Sequence, residues 1–231
     1  MASLGAARMS MSEGHRRRPS AAGGSSSNTT VRFAQLIGGL VLFGTSLALL
    51  VRSGLGLDPW DVFHQGLSVA SGLSIGVCTI GVGAIVLLLW IPLRQRPGLG
   101  TVANVVLVGL SLDAVLTIVP PTHSMGVRWT YLVGGIVLNG IATGAYIGAG
   151  LGPGPRDGLM VGLARNGRSI RVVRTAIEVS VLVVGWLLGG TVGVGTVIYA
   201  VAIGPIVHLT LPVFSHERRA GEARGVGGKS A

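Results

Sequence analysis

Six apolar runs punctuate the chain, at residues 33–51, 75–93, 100–118, 129–149, 172–190 and 194–213, with short polar stretches between them. Each is about 20 residues long, and at ~1.5 Å per residue a helix of that length matches a hydrocarbon core of ~30 Å. Backbone polar groups in lipid have no water to bond, so such runs are predicted to be helices. Two further segments, 58–71 and 154–166, lie between the first and second runs and between the fourth and fifth. They are too short and too polar to span. The pattern predicts an all-α, polytopic membrane protein with six transmembrane helices and two extra short ones.

The pattern also repeats. Gly54-Leu55-Gly56-Leu57-Asp58-Pro59-Trp60-Asp61 returns 96 positions later as Gly150-Leu151-Gly152-Pro153-Gly154-Pro155-Arg156-Asp157. The same offset pairs Arg32 with Arg128, Gly38-Gly39 with Gly134-Gly135, and Gly44 with Gly140. Further on the offset becomes 95, pairing Ser74-Ile75 with Ser169-Ile170 and Gly98-x-Gly100-Thr101-Val102 with Gly193-x-Gly195-Thr196-Val197. Glycine-rich apolar sequence matches itself by chance, but not at one offset held over most of a chain. Each unit holds three crossings, an odd number, so the second must enter the membrane from the side opposite to the first. That gives inverted repeats of the kind common in secondary transporters. The predicted organisation is a disordered basic cytoplasmic tail (1–31), a first membrane repeat (32–120), a second (121–213) and a basic cytoplasmic tail (214–231).

Charge placement sets the orientation. With six crossings, sixteen of the eighteen Lys and Arg residues fall on the side of both termini, and Arg52 and Arg128 alone on the other. Basic residues accumulate on the cytoplasmic side, so both termini are predicted inside a plasma membrane. Composition agrees: 11% charged residues and 39 glycines among 231 suit helices packed closely in lipid. The net charge of +10 raises nucleic acid as a partner, but the charges flank apolar runs and do not line one face, so none is expected. The basic segments instead suit anionic lipid headgroups. The lone cysteine, Cys78, sits in an apolar run and implies neither a disulfide framework nor a metal cluster.

The most distinctive residues follow the first crossing of each repeat. Asp58 or Gly154 can cap a helix there, with Pro59 or Pro155 at its first position and Asp61 or Asp157 in its first turn. Capping alone explains these residues. They equally suit the heads of broken helices, whose free N–H groups hold polar ligands at a repeat interface. The candidate site is therefore Asp58, Asp61, His64, Arg156 and Asp157, with Met160 standing where the first repeat has His64. Asp61 and His64 have metal-ligand spacing, but two ligands do not make a metal site. No cofactor is expected.

Polar residues inside the apolar runs are the other candidates, since each is costly in lipid when unpaired. They are Asp113, Glu178, His208 and Asn104, with Asn139 as a further uncharged one. Arg174 lies one turn before Glu178 and is expected to pair with it. Asp113 and His208 occupy equivalent repeat positions, and pseudo-symmetry is expected to bring them near each other.

The stretches Gly54-Leu-Gly-Leu-Asp-Pro-Trp-Asp-Val-Phe-His-Gln-Gly-Leu67 and Gly152-Pro-Gly-Pro-Arg-Asp-Gly-Leu159, with Gly193-Val-Gly-Thr196, resemble the bacterial YczE/YyaS/YitT-like family of membrane proteins. The resemblance implies an integral protein of the bacterial plasma membrane, and for some members a link to lipopeptide production. It transfers no site residues. A small transporter-like permease with its site between the repeats is the leading expectation, as a homodimer or beside a partner membrane complex. A non-transporting accessory or scaffold protein is the alternative. No nucleophile–base constellation or phosphate loop points to an enzyme.

Overall fold

A computed structural model describes residues 25–215 of the chain apart from Asn166 and Arg168. The basic residues assigned to the two tails, from Arg8 to Arg18 and from Arg218 to Lys229, lie outside the described residues, as does Arg168. Among the described residues the regular structure is helical: α1 (Ser25–Ser53), α2 (Pro59–Ser71), α3 (Ile75–Trp90), α4 (Leu99–Ile118), α5 (Met125–Gly148), α6 (Pro155–Ala164), α7 (Ile170–Leu187) and α8 (Val194–Phe214). The first helix starts inside the segment expected to be a disordered tail. Residues 25–31 hold no proline or glycine to stop it, so the helix extends upstream of the apolar run.

Local chemistry sets the short helices. Asp58 caps α2 by accepting from the Asp61 backbone N–H at 2.8 Å, Pro59 follows at the first position, and Gly72 ends the helix at φ 74°. α6 starts in the same way on Gly154 and Pro155, without a capping side chain.

Four helices, α1, α4, α5 and α8, are long and apolar enough to cross a membrane, and the α2–α3 pair, bent by 114°, makes up to five. The expected six therefore do not all qualify by length and composition. α3 is only 16 residues long, and α7 carries Arg171, Arg174 and Glu178 within its 18. Much of the exterior is apolar: Ile118, Leu187, Val201 and Leu209 are all more than 70% exposed. So much exposed hydrocarbon on the outer faces of helices of this length is suited to lipid rather than water.

α1 and α5 form the central pair, with α4 against α1 and α8 against α5. Arg32, near the start of α1, donates from Nε to the Ala149 carbonyl (2.8 Å) and from Nη2 to that of Gly150 (2.9 Å), at the end of α5. Arg128, near the start of α5, donates from Nε to the Ser53 carbonyl and from Nη2 to that of Gly54, both at 2.7 Å, at the end of α1. Start lies beside end in both cases, so the two helices are antiparallel. The loops that follow are crossed as well. Gly195 N–H donates to the Leu55 carbonyl at 2.7 Å, and Gly100 N–H to that of Leu151 at 2.9 Å. Gly56 (φ 120°) and Gly152 (φ 133°) permit this approach: a Cβ there would meet the Thr196 or Thr101 hydroxyl, each at 2.7 Å.

One difference between the halves shapes the interior. α3 lies flat on α4 because Gly76 and Gly109 face each other with no room for a side chain, and Gly83 abuts Val105. In the second half the positions of Gly76 and Gly83 are held by Arg171 and Glu178. No comparable packing joins α7 to α8.

Candidate functional site

The heads of α2 and α6 meet in the interior. Arg156, at the second position of α6, places Nη1 3.1 Å from Oδ2 of Asp58, the cap of α2. Asp58 is 3% and Asp61 4% exposed. The Arg156 guanidinium also sits 6.0 Å from the centre of the Phe43 ring, which meets Tyr146 edge-on. Two residues before Arg156, Gly154 leaves the head of α6 uncapped, so the positive ends of both helices converge on the same place.

Two cavities flank this meeting point, with Phe43, Trp60, Tyr146 and Arg156 as their common wall. The smaller, about 60 Å³, is lined by Asp61, His64, Thr79 and Asn104. The larger, about 370 Å³, is lined by Asp58, Asp157, Met160, Glu178 and Tyr199. They are repeat equivalents. Asp61, His64, Leu47, Asn104 and Gly83 line the small cavity, and their counterparts Asp157, Met160, Thr143, Tyr199 and Glu178 line the large one. The size difference follows from helix contact. Where α3 lies on α4 the cavity is pinched, and where α7 stands away from α8 it is wide.

Within the small cavity His64 Nδ1 faces Asp61 Oδ1 at 3.3 Å. Among the described residues Asp61 Oδ2 and Trp60 Nε1 find no hydrogen-bond partner although both are buried. Pro155, which lines this cavity, is held from behind by Trp90, whose Nε1 donates to its carbonyl at 3.0 Å. On the other side, Asn139 donates to Ser46 Oγ at 2.8 Å and accepts from the Tyr199 hydroxyl at 2.9 Å. This neutral bridge ties α1, α5 and α8 together in the core.

Asp58, Asp61, His64, Arg156 and Asp157, the five residues proposed from the repeat motif, thus all reach this centre. Asp157 makes no ion pair among the described residues and faces the large cavity. Asn104 faces the small cavity. Glu178 pairs with Arg174 at 2.9 Å on the wall of the large one. The expected approach of Asp113 to His208 is absent. Asp113 instead accepts from Ser74 Oγ and from the Gly76 N–H (2.8 Å), capping α3, while His208 is exposed. Because α1 and α5 are antiparallel, equivalent positions near helix ends lie at opposite ends of the bundle, so symmetry separates this pair. Sequence reading passed over Phe43, Tyr146 and Tyr199. A buried aromatic at helical spacing looks like core until its neighbours are known. Among the described residues no three His, Cys, Asp or Glu side chains are grouped to hold a metal ion.

Residues 30–212 match the family described as Family of unknown function (DUF6198). The chain is 40% identical to an uncharacterized protein of Haemophilus influenzae, across 78% of this chain and 83% of that one. It is 35% identical to the uncharacterized membrane protein YczE of Bacillus subtilis, across 79% and 85%. Against the uncharacterized protein YyaS of the same organism the identity is 26%, across 81% and 96%. No solved structure matches. Matched over most of its length, carrying helices long and apolar enough to cross a membrane, and similar to a relative named as a membrane protein, the chain belongs to the DUF6198 family of YczE-like membrane proteins.

Proposed function

We propose that the chain is a small permease of the plasma membrane, in which two inverted three-crossing halves hold a polar site between the heads of α2 and α6. The observation that carries this reading is the Asp58–Arg156 contact beside a cavity of about 370 Å³. Charged groups buried in an apolar bundle are costly, and they mark binding sites and ion paths in membrane proteins. Broken helices with their heads at mid-depth are the form such sites take.

The chain path supports three crossings per half. α3 begins beside Asp113, near the end of α4, and finishes with Trp90 on Pro155, just past the end of α5. The first place lies at the end of the bundle where α1 finishes, as the Arg52 bond to the Leu116 carbonyl shows. The second is the interior head of α6, and beyond Trp90 the chain runs on along α6, with Leu93 beside Gly162, towards the end where α5 finishes. A 16-residue helix covers about 24 Å, enough to reach from one to the other. α2 and α6 are then re-entrant, starting in the interior and returning to the face from which their loops entered. Both termini are cytoplasmic in this reading, and the inner basic segments hold anionic lipid headgroups. Binding and translocation, rather than bond chemistry, are what the site performs.

Topology and transport are tested separately. In a Cys78→Ser background, Leu73→Cys and Ser169→Cys should label with an impermeant maleimide from opposite faces of the membrane. Labelling from one face would end the inverted arrangement. Vesicles holding the purified chain, incubated with an isotope-labelled extract of small metabolites, should accumulate a solute at least tenfold over vesicles holding the Asp157→Asn chain. If no solute accumulates above empty vesicles, the permease reading falls and the accessory-protein reading replaces it.

A further inference from the structure

The two cavities are copies that have diverged. The large one opens between α7 and α8, and its divergence from the small one is written in the sequence: Arg171 and Glu178 stand where Gly76 and Gly83 let α3 close on α4. A glycine-mediated closure of α7 on α8 is therefore barred, and the two cavities do not exchange shapes. Their chemistry differs as well. The small cavity has an aspartate–histidine pair where the large one has Asp157 and Met160.

Arg156 is the link between them. It lines both cavities and feels both Asp58 and Asp61, and it is engaged by Asp58. Among the described residues Asp61 is left with one oxygen unpartnered, beside a space of about 60 Å³. An ionised carboxylate buried so incompletely paired is unfavourable, and a proton on that oxygen removes the charge. A cavity of this size admits a few waters, enough to deliver one. The groups that face Asp61 are Asp58 and His64 from its own segment, Arg156 from α6, Tyr146 from α5 and Tyr199 from α8. α1, α3 and α4 contribute only neutral side chains, among them Phe43, Thr79 and Asn104.

We propose that Asp61, assisted by His64, is a proton-binding site, and that Arg156 reports its occupancy to the large cavity by choosing between two carboxylates. With Asp61 protonated, Arg156 pairs with Asp58. When Asp61 gives its proton to the cavity water, Arg156 moves to it and leaves Asp58 open to a cationic group, an amine or ammonium, of a ligand in the large cavity. One positive charge on the ligand replaces one proton, so the core keeps the same net charge in both states. The coupling role rests on the permease reading, but the proton site itself is tested without it.

Infrared spectroscopy of the full chain in lipid nanodiscs at neutral pH reads the carbonyl stretch of a protonated carboxyl. The wild-type chain should show such a band, shifting in deuterated water and absent from Asp61→Asn. Asp58→Asn frees Arg156 to pair with Asp61, so the band should vanish there too, although Asp61 is intact. It should return in Asp58→Asn with Arg156→Gln. Butylammonium should deplete the band in the wild-type chain. A band that is indifferent to Asp61→Asn, persists in Asp58→Asn, or does not shift in deuterated water overturns the proposal. The deuterium arm needs no variant to fold. If the band behaves as stated but vesicles take up no solute, the proton site stands and the permease reading falls. Solute uptake without the band overturns the proton site alone.

Discussion

Arg156 reaches Asp58 across 98 positions of sequence, and the 3.1 Å contact joins the heads of two helices that the repeat makes equivalent. The pair is unequal: Asp58 is almost fully buried, while the Arg156 side chain is 30% exposed and has a second carboxylate, Asp61, nearby.

Removing the two partners should therefore cost different amounts. Arg156→Gln strands a buried carboxylate, which costs on the order of 3–5 kcal/mol. Asp58→Asn leaves an arginine that still has Asp61, and should cost less than half as much. Unfolding of each variant in mixed micelles, together with the double variant, measures the difference. Equal costs would mean that Arg156 is not shared.

Arg32 and Arg128 each hold two carbonyls at the end of the other central helix. Charge-assisted bonds of this kind contribute roughly 1.5–3 kcal/mol. Arg32→Ala and Arg128→Ala should each lose about that much. The effects should add in the double variant, because the sites lie at opposite ends of the pair. Arg→Lys should recover only part of the loss, since an ammonium lacks the planar fork. Thermal unfolding followed by circular dichroism reads all five chains.

Gly66 and Gly134 offer a contrast. A Cβ on Gly66 would run into the backbone of Gly185 where α2 crosses α7, whereas one on Gly134 meets nothing within 4 Å. Gly66→Ala should destabilise by about 1–3 kcal/mol through overpacking. Gly134→Ala should be neutral or stabilising by up to ~1 kcal/mol, because alanine favours the helix. Unfolding midpoints in the same detergent decide it. Equal effects would mean that α2 and α7 do not meet at this glycine.

Asn139, 1% exposed, bridges Ser46 and Tyr199. Tyr199→Phe leaves the Asn139 carbonyl oxygen buried and unpaired, costing about 1–3 kcal/mol. Pairing it with Asn139→Leu removes the stranded oxygen, so the double variant should be more stable than the two single losses added together. Simple additivity in a double-mutant cycle would show that the bridge does not form.

Much of the frame was legible along the chain because it is set by neighbours in sequence. The short helix from Pro59 to Ser71 follows from Asp58, Pro59 and Gly72, all local effects. The Arg174–Glu178 pair follows from one turn of helix. Asp113 shows where this reading stops. Its equivalence to His208 was visible, but equivalence in an antiparallel arrangement separates residues near helix ends, and Asp113 caps the helix beside it instead.

The sequence by itself determined that the chain is helical and apolar, that its motifs recur at a nearly constant offset, and that Asp58, Asp61, Arg156 and Asp157 are its unusual charges. Hydrophobic length, capping and repeat spacing are properties of a line of residues. Only the tertiary structure decided that Arg156 takes Asp58 and leaves Asp61, and that one cavity is pinched while its copy stands open. The exchange of Gly76 and Gly83 for Arg171 and Glu178 can be read off the repeat. Its meaning depends on α3 touching α4 there, and such contact is set by how helices distant in sequence fill one volume.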